Sequence, residues 1–462
     1  MGARKIGLLI FILGFGAAVE TAYSVRQHLD IGPWGCRVLG GRFYGSSFSF
    51  EEQSQEELAA GQRVEITNAF GPVRVRAGAP GLVKVGLRKN VYLETEDRAH
   101  EFASRILMRA ERAGPVLRLA TNRDELTARR DDVGFETHFD VQVPPGTAVT
   151  VRNQHGAVDV ADVTSAEVDG SFDDLRVERV AGAADLKSSH GSVHVASVGG
   201  PLTLTARHGD VEVRDVAAAA RLDVEHGDVS ATRVGGLNLR LAHGSLTVQT
   251  LRGDLEVHAE HAGVEATDVS GNARVETSFN AVTLTRVAGD ARVKARHGEV
   301  QAKEIKGALA VESSFNNVSL EKVGGPVDVT VEHGGLRAEG LEKGARVKAS
   351  GDEVTLTGFR GPVEVEAARA TVRLVPAGPL VEPVTIGTTH GGIFLEVPPG
   401  SRFALEARAE RGETRVDVPE LKITRTEGTT VTGTLGGGGN LVKLTADGGD
   451  VTVEPRSAAA SR

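Results

Sequence analysis

The chain has 462 residues, with 57 glycines against only 19 aromatic residues (15 Phe, 3 Tyr and 1 Trp). At 40% hydrophobic it can bury a core, but Val, Leu and Ala must fill that core. A single cysteine excludes a disulfide framework and a multi-cysteine metal site, and a net charge of -9 argues against a nucleic-acid partner, which would need a basic face.

Arg4 and Lys5 precede an apolar run over residues 6–19, which Glu20 closes. That is the order of a secretory signal, and Gly16-Ala17-Ala18 offers a cleavage point. Uncleaved, residues 1–25 would be a short membrane anchor burdened by Glu20. Either reading places the rest of the chain outside the cytoplasm, in the periplasm, envelope or cell surface. Cys36 lacks the Leu and small residues that precede a lipidated cysteine and reads as an incidental thiol, within a spacer over residues 26–60.

Residues 61–150 read as an N-terminal cap. Strand-like Val64-Glu65-Ile66, Val73-Arg74-Val75 and Val83-Lys84-Val85 come first. The spacing of Ala99, Phe102, Ala103, Ile106, Leu107 and Ala110 then predicts a helix over 96–113, followed by a strand at 116–119.

From residue 155 an 18-residue repeat takes over. His-Gly recurs at His155, His190, His208, His226, His243, His297, His333 and His390, and the gaps hold Phe172, His261, Phe279 and Phe315 in the same phase. Consecutive starts from 155 to 333 lie 17 or 18 residues apart, and Gly351 and Arg369 continue the phase. Counting the ring as position zero, +3 is always aliphatic (Val158, Leu175, Val193, through to Ile393), and +5 and +8 are apolar as well. A third set falls six, four and two residues before the next start, as in Leu237, Leu239 and Leu241. Alternation by two is the period of strands. Gly, Asn or Asp at +1 and a glycine column at +10 (Gly182, Gly200, Gly271, Gly307) then supply corners. The expected fold is all-β: a single-chain parallel β-solenoid with roughly three-sided coils over 151–394, further coils and a cap over 395–456, and a tail at 457–462. Fourteen coils at about 4.8 Å make a rod of roughly 65 Å.

The order of Val143-Pro144-Pro145-Gly146, repeated x-Gly-x-Val-x-Val coils, Gly436-Gly437-Gly438-Gly439 and Leu444-Thr445-Ala446-Asp447-Gly448-Gly449-Asp450-Val451 resembles the bacterial "putative-adhesin" domain family, built of β-strand repeats and of largely unknown function. The resemblance covers residues 60–456. It implies a right-handed parallel β-helix in an envelope or exported protein, with no catalytic residues to carry over. The regular His column departs from the family's usual polar residue at that corner.

The corner column is the main candidate site: His155, Phe172, His190, His208, His226, His243, His261, Phe279, His297, Phe315, His333 and His390. Stacked on adjacent coils, these rings form a packing ladder. His190, His208, His226, His243 and His261 could alternatively share Zn²⁺, Ni²⁺ or Cu²⁺, but Phe172, Phe279 and Phe315 cannot ligate, which favours packing. Partly exposed imidazoles in a row would repel once protonated, so acid is expected to loosen the rod. The paired acids Asp131-Asp132 and Asp173-Asp174 read as solvated surface. Outward positions mix signs from coil to coil, no loop interrupts the coils, and no nucleophile elbow, phosphate loop or HExxH motif is present. The expectation is a non-enzymatic, exported envelope or surface module that binds an unidentified ligand, a polysaccharide or a protein, and needs no cofactor. The alternatives are a self-assembling envelope scaffold and a polysaccharide-active β-helix enzyme.

Overall fold

The computed structural model describes residues 45–128 and 133–456. The segment 1–25, Cys36, the Asp131-Asp132 pair and the tail 457–462 lie outside the described residues. Thirty-seven strands and two short helices are present among them.

Alternating apolar residues make strands, and the constant period stacks each strand on its own copy. In one parallel ladder Leu175 lies between Val158 and Val193. In the other, Leu186 lies between Val168 and Leu204. A short third side at +8 to +10 is also bonded coil to coil: Gly199 N donates to Val180 O at 2.8 Å and Gly200 N to Gly182 O at 3.0 Å. The result is a β-solenoid of about fourteen turns. The inward columns are buried, with Val193, Val195, Val198, Leu202, Leu204 and Ala206 each 2% exposed or less. Each such aliphatic side chain is worth about 1.5–3 kcal/mol of burial.

The corners work in three different ways. At +1, Gly156, Asp173, Gly191, Gly209, Gly227 and Gly244 take positive φ; from Phe315 to Arg369 that role moves to position zero itself, and it returns to +1 at Gly391. The +10 glycines do not act through φ, except Gly361. They act through closeness: a Cβ on Gly307 would sit 2.4 Å from Gly289 O, and one on Gly325 2.3 Å from Gly307 O. The third corner, at +7, was not anticipated. Asp162, Arg179, Ser197, Asp215, Arg233, Thr250, Asp268, Arg286, Glu304 and Lys322 all sit at φ between 52° and 62°, in the left-handed region that L-residues avoid. Only Gly340 and Gly358, farther along the column, are glycine.

The N-terminal region differs from its expected form in two places. The chain enters through β1 (Ser46–Glu57), β2 (Arg63–Phe70), β3 (Val73–Ala77) and β4 (Leu82–Leu93). Residues 46–57, expected to be spacer, therefore form a strand, paired antiparallel with β4. Helix α1 (Glu96–Arg105) stops well short of residue 113. Lys89 Nζ reaches the carbonyls of Ala103 and Ile106 at its end, and the Asn122 side chain receives Leu107 N at 2.8 Å. Residues 108–113 instead form β5 (Met108–Ala113), which turns at Gly114 to pair with β6 (Val116–Thr121). Ala99, Phe102, Ala103 and Ile106 are buried as their spacing implied, whereas Leu107 is 53% exposed. Helix α2 (Arg123–Ala128) and β7 (Phe135–Val143) follow, then β8 (Ala148–His155) and β9 (Val158–Val163) start the regular coils.

Coils at both ends are stacked out of chain order. The β2–β3 coil lies between β8–β9 on its inner side and β6–β7 on its outer side. At the other end, Asn440–Ala446 and Val451–Pro455 insert between the 384–397 coil and the 403–416 coil. An antiparallel hairpin, Lys422–Glu427 with Thr430–Leu435, closes that end.

The two kinds of corner respond oppositely to substitution. Thr250→Gly is expected to raise stability by about 1 kcal/mol by relieving a β-branched residue at φ 60°. Gly307→Ala is expected to lower it by about 1–3 kcal/mol through overpacking. Thermal melts of the two variants check this; stabilisation by both or by neither contradicts the assignment.

Candidate functional site: an exposed column of stacked rings

Because each coil presents position zero at the same corner, its ring meets the ring of the next coil. Phe70, His155, Phe172, His190, His208, His226, His243, His261, Phe279, His297, Phe315 and His333 form one continuous stack. Centroid steps run from 4.4 Å (Phe70 to His155) to 5.2 Å (Phe279 to His297). At one ring per strand spacing of about 4.8 Å the column is roughly 50 Å long. Most neighbours are nearly parallel, 6° apart at Phe172–His190, but the planes tilt by 32° between His190 and His208. From Phe172 onward the rings are exposed, with Phe279 at 50% and Phe315 at 55%.

Two expectations about the column need correcting. His390 does not join it, because Gly351 and Arg369 occupy the intervening coils and leave the last ring-to-ring contact at Phe315–His333. Phe70 does join it and was missed. The signal was there: Val64, Ile66, Phe70-Gly71, Val73 and Val75 match the template, but 85 residues separate Phe70 from the next ring. The other unanticipated member is Arg123, whose guanidinium lies 4.5 Å from the Phe70 ring centroid and 4.1 Å from that of Phe135. It closes the N-terminal end of the stack as a cation on an aromatic face. Burial lowers its pKa to about 10.

The geometry also bears on the metal reading. Two nitrogens on one Zn²⁺ lie no more than about 4.2 Å apart, given bonds of about 2.0–2.1 Å. Near-parallel rings one coil apart keep equivalent nitrogens near 5 Å. His226, His243 and His261 are thus stacked rather than convergent, while the planes of His190, His208 and His226 tilt by 31–32° at centroid steps of 5.0 Å. Among the described residues no group of three or more His, Cys, Asp or Glu is placed to hold a metal.

Around the column, polar side chains bond the corresponding residue one coil away. The acids of Asp173-Asp174 do this at a corner: Asp173 accepts from Gly156 N at 2.9 Å and Asp174 from Ser192 N at 3.0 Å. Asp210 and Asn317 repeat the bond at this corner, and Asp254, Asn272 and Asp290 make it at +11, each to a backbone N–H. Ion pairs also climb the +7 column. Arg179 bonds Asp162, Arg233 bonds Asp215 and Arg286 bonds Asp268, each through two nitrogens.

A second surface feature had no reading in the sequence. A groove of about 1090 Å³ runs past the +11 to +13 columns from Asp254 to Thr385. Small residues line it, among them Ala273, Ala291, Ala308, Pro326, Pro362 and Pro383. Its arginines are paired, Arg274 with Glu276 at 2.8 Å, Arg292 with Glu312 at 2.9 Å and Arg346 with Glu364 at 2.8 Å.

With the repeat and its corners in place, the chain can be compared with known proteins. The family model described as Toastrack DUF4097 matches residues 132–330 and again 281–454, together well over half of the chain. The chain belongs to the Toastrack family. The two matches overlap over residues 281–330. No curated protein is significantly similar. A solved structure, described as a "putative cell adhesion protein" from Clostridium sporogenes ATCC 15579, is 8% identical and covers 88% of this chain and 100% of that one, with a TM-score of 0.15. That likeness is too weak to bear on fold or function.

The +7 pairs of this Toastrack rod give it a pH response. Hydrogen bonds from Arg179, Arg233 and Arg286, then their charge, hold the carboxyls of Asp162, Asp215 and Asp268 below the ordinary aspartate range. A depressed folded value means the stabilisation is complete above the unfolded value of about 4 and is lost as pH falls through the lower folded value. All three are exposed, so each contribution is small and screened by salt. A variant with Asp215→Asn and Asp268→Asn is expected to melt slightly lower at pH 7 and to lose less stability than the parent between pH 4 and 2. Parallel melting curves across that window would contradict the role of these pairs.

Proposed function

We propose that this chain is a non-enzymatic, exported binding module of the cell envelope or surface, which engages an elongated ligand along the length of its rod. The observation that carries the reading is the ring column: one exposed ring per coil, unbroken over the nine steps from Phe172 to His333. A surface that repeats at a fixed interval suits a ligand that also repeats, such as an extended polysaccharide. Many weak contacts then sum to useful avidity without any deep pocket. Export rests on Arg4, Lys5 and the apolar run that follows them. Among the described residues no helix is long and apolar enough to cross a membrane.

The chemistry along the coils supports a binding role over a catalytic one. Along the regular coils many carboxylates, such as Asp174, Asp215, Asp254 and Glu364, are spaced along the rod and engaged by arginines or backbone N–H groups of the neighbouring coil. The scaffold alternative meets an obstacle at both ends. Antiparallel β1, β4 and β5 at one end, and the 422–435 hairpin at the other, interrupt the parallel stacking that end-to-end growth would extend.

A binding series with envelope polysaccharide fragments graded by length tests this reading. Affinity is expected to rise with fragment length until the fragment matches the column. Phe172→Ser, His226→Ser and Phe315→Ser should each weaken the longest fragment several-fold, with no turnover. Equal affinity for short and long fragments, or cleavage of the polymer, would contradict it, and filaments in light scattering would favour the scaffold.

A further inference from the structure

The order in which coils stack at the two ends differs from their order in the chain, and the difference has the same form at each end. The first complete coil among the described residues, β2–β3, is second from its end rather than outermost. It is bonded on both flanks: Arg63 N donates to Pro115 O at 2.9 Å and Phe139 N to Pro72 O at 3.0 Å on the outer side, and Gly71 N to His155 O at 2.8 Å and Val73 N to Ala157 O at 2.9 Å on the inner side. The last coil of the chain is likewise second from its end. Asp447 N donates to Thr388 O at 2.9 Å and Arg456 N to Val397 O at 2.9 Å on one flank. On the other, Glu410 N donates to Ala446 O at 2.8 Å and Val451 N to Glu413 O at 2.9 Å.

A solenoid threaded in simple order frays from its ends, because an outermost coil is held on one flank only and each coil released exposes the next. Here the strand that continues into the C-terminus is Val451–Pro455, held by Ile393–Val397 on one side and Thr414–Val416 on the other. It leaves only by sliding out from between two partners. The apolar residues of the inserted coil, Val442, Leu444 and Ala446 in one strand and Val451 and Val453 in the other, are fully buried, so removal also opens the core on both faces. The 403–416 coil, in turn, has no contact ladder to the 384–397 coil except through the inserted one.

We infer that the two intercalated coils are clasps: they lock the ends of the rod so that it resists tension between its termini and opens only after a clasp is withdrawn. The inference stands on strand order alone and is independent of what the rod binds. It also sets an order of assembly. This end of the stack cannot close until residues 440–455 have entered the gap between the 384–397 and 403–416 coils, both of which precede them in the chain.

Two measurements on the full chain test this. In hydrogen–deuterium exchange, the double substitution Val442→Asp and Leu444→Asp expels the last coil. Protection at Phe403–Ala409, which carries no change, is then expected to fall at least tenfold, while the coils between 175 and 350 keep theirs. Val431→Asp in the outer hairpin should leave Asn440–Ala446 protected. Unchanged protection at 403–409 after expulsion would mean that this coil docks directly on 384–388, and would overturn the clasp. In force spectroscopy with handles before Ser46 and after Arg456, the first rupture is expected at higher force than the coil-by-coil steps that follow. A first step no stronger than the later ones would equally overturn it.

Discussion

The structure depends on one constraint: each residue of the regular coils must pack in register on its own counterpart one coil away, 17 or 18 residues along the chain between residues 155 and 369. Parallel ladders hold Val158, Leu175, Val193 and Val211 in a single file. Once that register is set, every column becomes a row of like groups. Aliphatic rows fill the interior, ring rows stack, Asp and Asn rows bond the next backbone N–H, and Asp–Arg rows pair. A one-residue slip would turn every inward side chain outward, so the register is strongly specified.

The same constraint explains the strain at +7. The chain must turn at a fixed place to begin the short third side, and counterparts above and below hold it there. Arg179, Arg233 and Arg286 therefore occupy a left-handed conformation that their own residue type disfavours. Alternation of Asp and Arg in that column offsets part of the cost by pairing across coils. The glycine column at +10 answers a different demand, since backbone lies on backbone there and a Cβ on Gly200, Gly253, Gly271, Gly289, Gly307 or Gly325 would fall within 3 Å of the preceding coil. Glycine abundance and aromatic scarcity in this chain thus share one origin, a narrow coil in close contact with its copies. The rings that remain are mostly placed outside it.

Much of this was legible in the sequence, because an inward row of Val, Leu and Ala and a recurring His-Gly are visible at constant spacing. The ring column could be read from residue 155 onward for that reason. Four features were not legible. The +7 turn leaves no mark, since Asp, Arg, Ser and Thr do not announce positive φ. The end of α1 is set by Lys89 and Asn122, which are distant in sequence. Phe70 fitted the template but stood apart from the repeat. Stacking order at the ends is invisible because every coil carries the same pattern, so nothing local says which coil it will neighbour. Arg123 at the end of the ring stack follows from that same non-local arrangement.

The most direct test of the central claim, that the coil is an 18-residue unit stacked in register, is excision. Removing one full period, residues 279–296, joins Ser278 to His297 and sets the His297 ring on that of His261. Removal of nine residues, 279–287, puts inward columns on the outside. Small-angle scattering with thermal melts of both proteins reads the outcome. The account predicts that the 18-residue deletion melts cooperatively near the parent, with the rod shorter by about one strand spacing, ~4.8 Å, while the nine-residue deletion loses much of its stability. Equal damage from the two deletions would contradict it.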